Sequence, residues 1–205
     1  MKVIRGEVLD NYDQFKKLFK ENDGLMLTKD IVDAGFSKQL LGKYVEEGYI
    51  ERVAYGVYLA KDTFEDEMYV LQTRSSRLIF SHETALFLHD LTDRDPLTYM
   101  VTLPSGYNAS KFKEDGTEVY FIKAELLELG VEEGKTVFGR KIRVYNMERT
   151  ICDIIRSRNK IDSAILNDSI KRYLLLKNKN ISLLMKYAKQ FKVEKILRNY
   201  LEVLL

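Results

Sequence analysis

The residues in this 205-residue sequence best equipped to act on a partner lie in the stretch TKDIVDAGFSKQLLGKYVEEGYIERVAYGVY. Lys38, Gln39 and Lys43 share the polar face of one predicted helix, which Ser37 opens. Glutamine can pair bidentately with an adenine edge and lysine can reach a guanine edge, so this is the chemistry of base reading in a DNA groove. Thr28 and Lys29, at the start of the preceding helix, could hold phosphates with backbone N–H groups and charge. Arg52 and Tyr55 belong to a following hairpin that could reach the adjacent backbone or minor groove.

Other combinations of reactive residues fall short of a catalytic pattern. His82 and Glu83 begin HETALFLH, but a zinc protease helix needs its second histidine four residues after the first, and position 86 is Leu86. His82 reads as a cap or packing residue and His89 as a helix-end cation near C-terminal carbonyls. With two histidines in the whole chain, no metal and no other cofactor is expected. Gly134-Lys135-Thr136 mimics the end of a phosphate loop, but Leu129 stands where its first glycine would be, and the segment reads as a turn. Asp115, Glu118 and Lys123 lack the close carboxylate-x-Lys spacing of a nuclease. Cys152, without a histidine nearby in sequence, reads as a buried structural thiol, and Arg149 and Asp153, four apart, as a structural pair. No enzymatic activity is expected; the alternatives are a nucleic-acid-processing enzyme targeted by its N-terminal domain, or an unrelated regulator.

The elements that would position the DNA-reading residues follow from apolar spacing. Tyr12, Phe15, Leu18 and Phe19 give a first helix ending near Gly24. Thr28 caps a second, which stops at Ala34-Gly35. Ser37 caps a third, carrying Leu40, Leu41, Tyr44 and Val45 as its apolar stripe and Gly48 as its stop. Two short strands fold at Tyr55-Gly56. Three helices followed by a hairpin is the order of a winged helix-turn-helix. Beyond it, helices through Met68–Arg74 and from Ser81, and strands at LIF, LTYMVTLP, TEVYFIKA and KIRVYN, predict a mixed α/β region that turns helical from Met147 to the end. The expected fold class is therefore α+β, with a winged helix-turn-helix at 1–60 and a C-terminal domain at 61–205, mixed over 61–146 and basic and helical over 147–205.

Charge sharpens this division. The net charge is +2, yet residues 151–205 carry 12 Lys and Arg against 5 Asp and Glu, while residues 1–60 are nearly neutral and the middle is acidic. Arg156, Arg158, Lys160, Lys171, Arg172, Lys186 and Lys189 are the candidates for a second basic surface, which could take DNA or RNA. The one cysteine excludes a disulfide scaffold, and no apolar run is long enough for a bilayer span or a secretory signal, so a cytoplasmic protein without membrane contact is expected.

Three stretches also resemble one family. DIVDAGFSKQLLGKYVEEGYIERVAYGVYLA resembles the N-terminal winged helix of AbiEi-type antitoxins, FSHETALFLHDLTDRDPLTYMVTLPSGYN resembles their C-terminal region, and VYNMERTICDII is similar to their "ERT-CD" segment. The resemblance implies the antitoxin of a type IV abortive-infection, phage-defence system. Such a protein binds inverted repeats in its own promoter as an autorepressor, and opposes a nucleotidyltransferase toxin without a stable complex. Monomer and dimer on DNA both remain open. The last 50 residues match the family least.

Overall fold

The computed structural model describes residues 3–204, with side chains from 11 to 203. The chain forms two compact units, one of residues 1–74 with 136–139 and one of residues 75–135 with 140–205. The first unit thus ends beyond the boundary at residue 60 that the sequence suggested.

In the first unit, α1 (Val3–Glu21) is followed by β1 (Leu25–Leu27), α2 (Thr28–Asp33), α3 (Lys38–Glu46), β2 (Ile50–Ala54), β3 (Val57–Ala60) and α4 (Glu67–Thr73). The strands form an antiparallel sheet in the order β1-β3-β2. Strand β1 was not visible in the sequence, because three residues are too few to show alternation; here Met26 faces Tyr58 across the ladder. Phe15, Phe19, Met26, Ile31, Leu41, Tyr44 and Ile50 make the core, with the Phe15 and Tyr44 rings 4.6 Å apart.

Helix α3 begins as expected: the Leu40 N–H donates to Ser37 Oγ at 3.3 Å, and Gly48 closes the far end at φ +71°. Its one unfavourable residue is Gly42, which at mid-helix is about 1 kcal/mol less stable than alanine would be. Helix α2 starts differently from expectation. Its N-cap is Leu27, without a side-chain cap, and Thr28 is its first residue. Both the Thr28 N–H (2.8 Å) and the Thr28 hydroxyl (3.2 Å) donate to the carbonyl of Gly56 in the β2–β3 turn. At the end of this unit, buried Asp66 caps α4 by accepting from the Tyr69 N–H, and its other oxygen accepts from the Thr136 hydroxyl at 2.6 Å.

In the second unit the order is β4 (Ile79–Phe80), α5 (His82–Leu88), β5 (Met100–Pro104), α6 (Ser110–Glu114), β6 (Glu118–Ile122), α7 (Ala124–Leu127), β7 (Val131–Lys135) and β8 (Lys141–Tyr145). Four helices follow, α8 (Met147–Arg156), α9 (Ser163–Leu175), α10 (Ile181–Gln190) and α11 (Glu194–Leu204). The sheet is mixed, in the order β6-β5-β4-β8-β7, with β4 parallel to β8 and β5 parallel to β6. Gly134 and Lys135, expected in a turn, belong to edge strand β7, antiparallel to β8. The fold is therefore a mixed α/β one with two sheets and a helical C-terminal part, and no helix among the described residues is long and apolar enough to cross a membrane.

Helix α8 is the axle of this unit. Every residue from Glu148 to Ile155 is buried, with α5, α9, α10 and α11 packed against it. Its polar residues each tie down a different segment. Glu148 Oε1 accepts from the Tyr173 hydroxyl (2.9 Å) and the Asn180 N–H (3.2 Å), Thr150 donates to the Tyr145 carbonyl, and Arg149 donates to the carbonyls of Leu126 and Leu129.

Candidate nucleic-acid interface

In the first unit, α2, α3 and the β2–β3 hairpin enclose a concavity of about 680 Å³ lined by Thr28, Lys29, Lys38, Arg52, Tyr55 and Tyr58, among others. Five residues singled out by sequence therefore meet at one place, though 27 positions separate the first from the last. The Thr28 bonds to Gly56 fix the spacing between the α2 end and the hairpin turn, and Gly56 meets the turn's need for φ +73°.

The cationic atoms are presented rather than consumed. The side chains of Lys29, Lys38 and Gln39 are exposed and make no hydrogen bond or ion pair among the described residues. The Arg52 guanidinium lies 5.1 Å from the Tyr55 ring centre and Nε donates to the Ala54 carbonyl at 3.4 Å. Tyr55 itself is 95% exposed at the tip of the hairpin. A large aromatic ring is thus left in water with an arginine beside it.

Three expected residues play other parts. The Thr28 N–H is taken by Gly56, so a phosphate at the α2 end would have to be held by the Lys29 charge and the later amides. Ser37 is occupied in capping α3. Lys43 sits 3.7 Å from Glu47 and does not line the concavity; at about 100° per residue it shares the polar face with Gln39 but lies on the opposite flank of that face from Lys38.

The expected second basic surface is only partly available. Arg156 is half-buried, 3.2 Å from Asp153 and over the Phe191 ring. Arg172 is clamped between Asp93 and Asp168, both of which it hydrogen-bonds, and those bonds hold the Asp93 carboxyl below its usual range. Arg158 donates to the Ile155 carbonyl, and Lys160 stands 5.9 Å from the Tyr120 ring. Lys171 on α9 and Lys186 and Lys189 on α10 are exposed.

The second unit also holds a polar cluster that sequence reasoning treated as simple packing. His82, at φ +51° and fully buried, stacks on Tyr120 at 3.5 Å, with Nδ1 3.0 Å from Ser81 Oγ and Nε2 3.0 Å from Ser157 Oγ. The Thr102 hydroxyl donates to Ser81 Oγ, extending the cluster to β5. Ser81, the N-cap residue of α5, makes no capping bond with its side chain. His89 departs from expectation: its Nε2 donates at 2.7 Å to the Tyr145 carbonyl of β8, not to the end of its own helix.

Burial, then the charges of Arg156, Arg149 and Lys160, push the His82 pKa well below the ordinary value. The folded chain therefore keeps this ring neutral where the unfolded chain binds a proton. Stability is fully present above about pH 6.5 and falls with decreasing pH, by about 1.4 kcal/mol per unit at most, until the folded-state pKa is reached. Thermal unfolding between about pH 6.5 and 5 should show that slope, and His82→Asn, which tolerates the left-handed backbone, should flatten it. An unchanged slope in the variant would assign the acid sensitivity elsewhere. Cys152 is buried as expected, and burial raises its thiol to about 12.

No protein-family model matches this chain, and no characterised protein matches it in sequence. Among solved structures it is similar to the RV2827C protein from Mycobacterium tuberculosis, with a TM-score of 0.54 at 11% identity over 87% of this chain and 75% of that one. At that identity the likeness concerns the fold.

Proposed function

We propose that the first unit is a winged helix that binds operator DNA, and that the chain is the autorepressing antitoxin of a type IV phage-defence pair. The observation that carries the DNA-binding part is the concavity in which Lys29, Lys38, Arg52 and Tyr55 converge beside an exposed helix face bearing Gln39. In this reading α3 enters the major groove, the α2 end and Lys29 meet a phosphate, and the β2–β3 hairpin, as the wing, lays Arg52 and Tyr55 along the neighbouring backbone or minor groove. The antitoxin assignment rests on the resemblance of the three sequence stretches to AbiEi-type proteins. Its counterpart would be a nucleotidyltransferase toxin, opposed without a stable complex, and its operator would contain inverted repeats.

The second unit supplies structure to the "ERT-CD" stretch in this reading: Glu148, Arg149 and Thr150 hold α9, α10, the segment after α7 and the end of β8 together. The His82–Ser157 pair has the spacing of a base and nucleophile, but full burial closes His82 to a substrate.

The test is fluorescence anisotropy of the full chain on the duplex upstream of its own gene, over a series of salt concentrations. Sequence-preferring binding with a steep inverse salt dependence is expected. Lys29→Ala with Lys38→Ala should reduce the log–log salt slope by about 2, one phosphate's counterion for each lysine. Equal affinity for the upstream duplex and an unrelated one would overturn the operator assignment.

A further inference from the structure

The ten glycines beyond α1 differ in why they lack a side chain. Eight lie at φ between +71° and +95°, where other residues are strained. At Gly134 a Cβ would come within 2.8 Å of Val144 Cγ1. Gly42 has neither reason: its backbone is helical, and a Cβ there would meet no atom within 4 Å beyond its own stretch of helix backbone. It is the central residue of α3, the position at which a glycine most weakens a short helix. At about 100° per residue it sits within about 30° of the point opposite the Leu40, Leu41 and Tyr44 stripe, so it is close to the outermost point of the helix. Lys38 flanks it on one side, and Gln39 and Glu46 on the other.

We infer that Gly42 is the point of closest approach between α3 and DNA, and so a specificity-determining residue of the interface. The inference rests on the DNA-binding reading above. A missing methyl at the outermost point lets the helix backbone settle onto the groove floor. The short-reaching carboxylate of Glu46 and amide of Gln39 then come within hydrogen-bonding range of base edges, a cytosine N4 amino group and an adenine respectively. Lys38, with its longer stem, reaches a guanine or a phosphate beside them. An alanine would hold the helix off by the thickness of a methyl group, and the shorter side chains would lose contact first.

The experiment compares the full-length wild type with Gly42→Ala and Gly42→Leu by thermal unfolding and by anisotropy. The probes are a duplex enriched by the wild type from a randomised pool and a duplex of unrelated sequence. For Gly42→Ala the melting temperature should rise by about 3 °C, because a poor helix former has been replaced in open space. Its affinity for the enriched duplex should nevertheless fall about tenfold, and that of Gly42→Leu about a hundredfold, with smaller losses on the unrelated duplex. Undiminished affinity of Gly42→Ala would overturn the inference and leave DNA binding standing. A lowered melting temperature would also overturn it, by showing an internal role for the glycine. Failure of the wild type to enrich any duplex would overturn the DNA-binding reading, and the inference with it.

Discussion

Replacing Arg149 by methionine should lower the unfolding free energy of the second unit by about 3–5 kcal/mol, measured by urea titration followed by circular dichroism. Arg149 is the largest fully buried side chain among the described residues. Its Nε donates to Asp153 at 2.8 Å, one terminal nitrogen donates to two carbonyls, and the guanidinium lies 4.1 and 4.0 Å from the ring centres of Tyr145 and Phe191. Asp153 is wholly buried as well, and burial pushes its carboxyl above the usual range even with Arg149 beside it. Methionine would fill much of the volume between the rings but leave that carboxyl without its principal counter-charge and the Leu126 and Leu129 carbonyls without a donor. Lysine should restore less than half of the loss, since it cannot address a carboxylate and two carbonyls in one plane. The double variant Arg149→Met with Asp153→Leu should be more stable than Arg149→Met alone, because the isolated charge has gone. If the single and double variants unfold alike, the cost comes from the ring sandwich and the carbonyls, not from the ion pair.

Reversing three charges, Lys29→Glu, Lys38→Glu and Arg52→Glu together, should reduce affinity for the upstream duplex by about three orders of magnitude near 0.15 M salt. Each site exchanges an attraction to phosphate for a repulsion, and the three surround one concavity. All three are exposed, so the folded state should lose no more than a few tenths of a kcal/mol per substitution. Lys43→Glu is the internal comparison. That lysine is engaged with Glu47 and does not line the concavity, so its reversal should cost a small fraction of the triple loss. Comparable losses from Lys43→Glu alone and from the triple variant would point to a diffuse field in place of the concavity.

The candidate interface was legible to the extent that its signals are local. A cap at Ser37, a left-handed stop at Gly48 and a two-residue turn before Val57 are each set within a few residues, and the helix, strand and turn they imply are present. What escaped was set by distant partners or by edges. The Thr28 amide, a free helix-end donor in sequence, is taken by Gly56, 28 residues on. Arg172 counted as free positive charge until the fold brought Asp93 beside it, whereas Arg156 meets Asp153 within its own helix, a local pair that was overlooked. Strand β7, VEEGK, is an exposed edge with charged side chains and no apolar alternation, so nothing in its composition separates it from a loop. The burial of Glu148, Arg149 and Asp153 on α8 was hidden for the opposite reason: the helix is enclosed on all sides, so its polar residues do not mark a solvent face.

The membership of residues 136–139 in the first unit has a consequence for inheritance and engineering. The chain leaves that unit after Arg74, contributes more than sixty residues to the other, returns for four, and departs again. Thr136, which donates to buried Asp66, belongs to that brief return. Neither unit is a continuous segment of the gene. A transplant of codons 1–74 onto another effector would carry away the concavity but leave Asp66 without its hydroxyl partner, so the two units are expected to pass between genomes as one indivisible block.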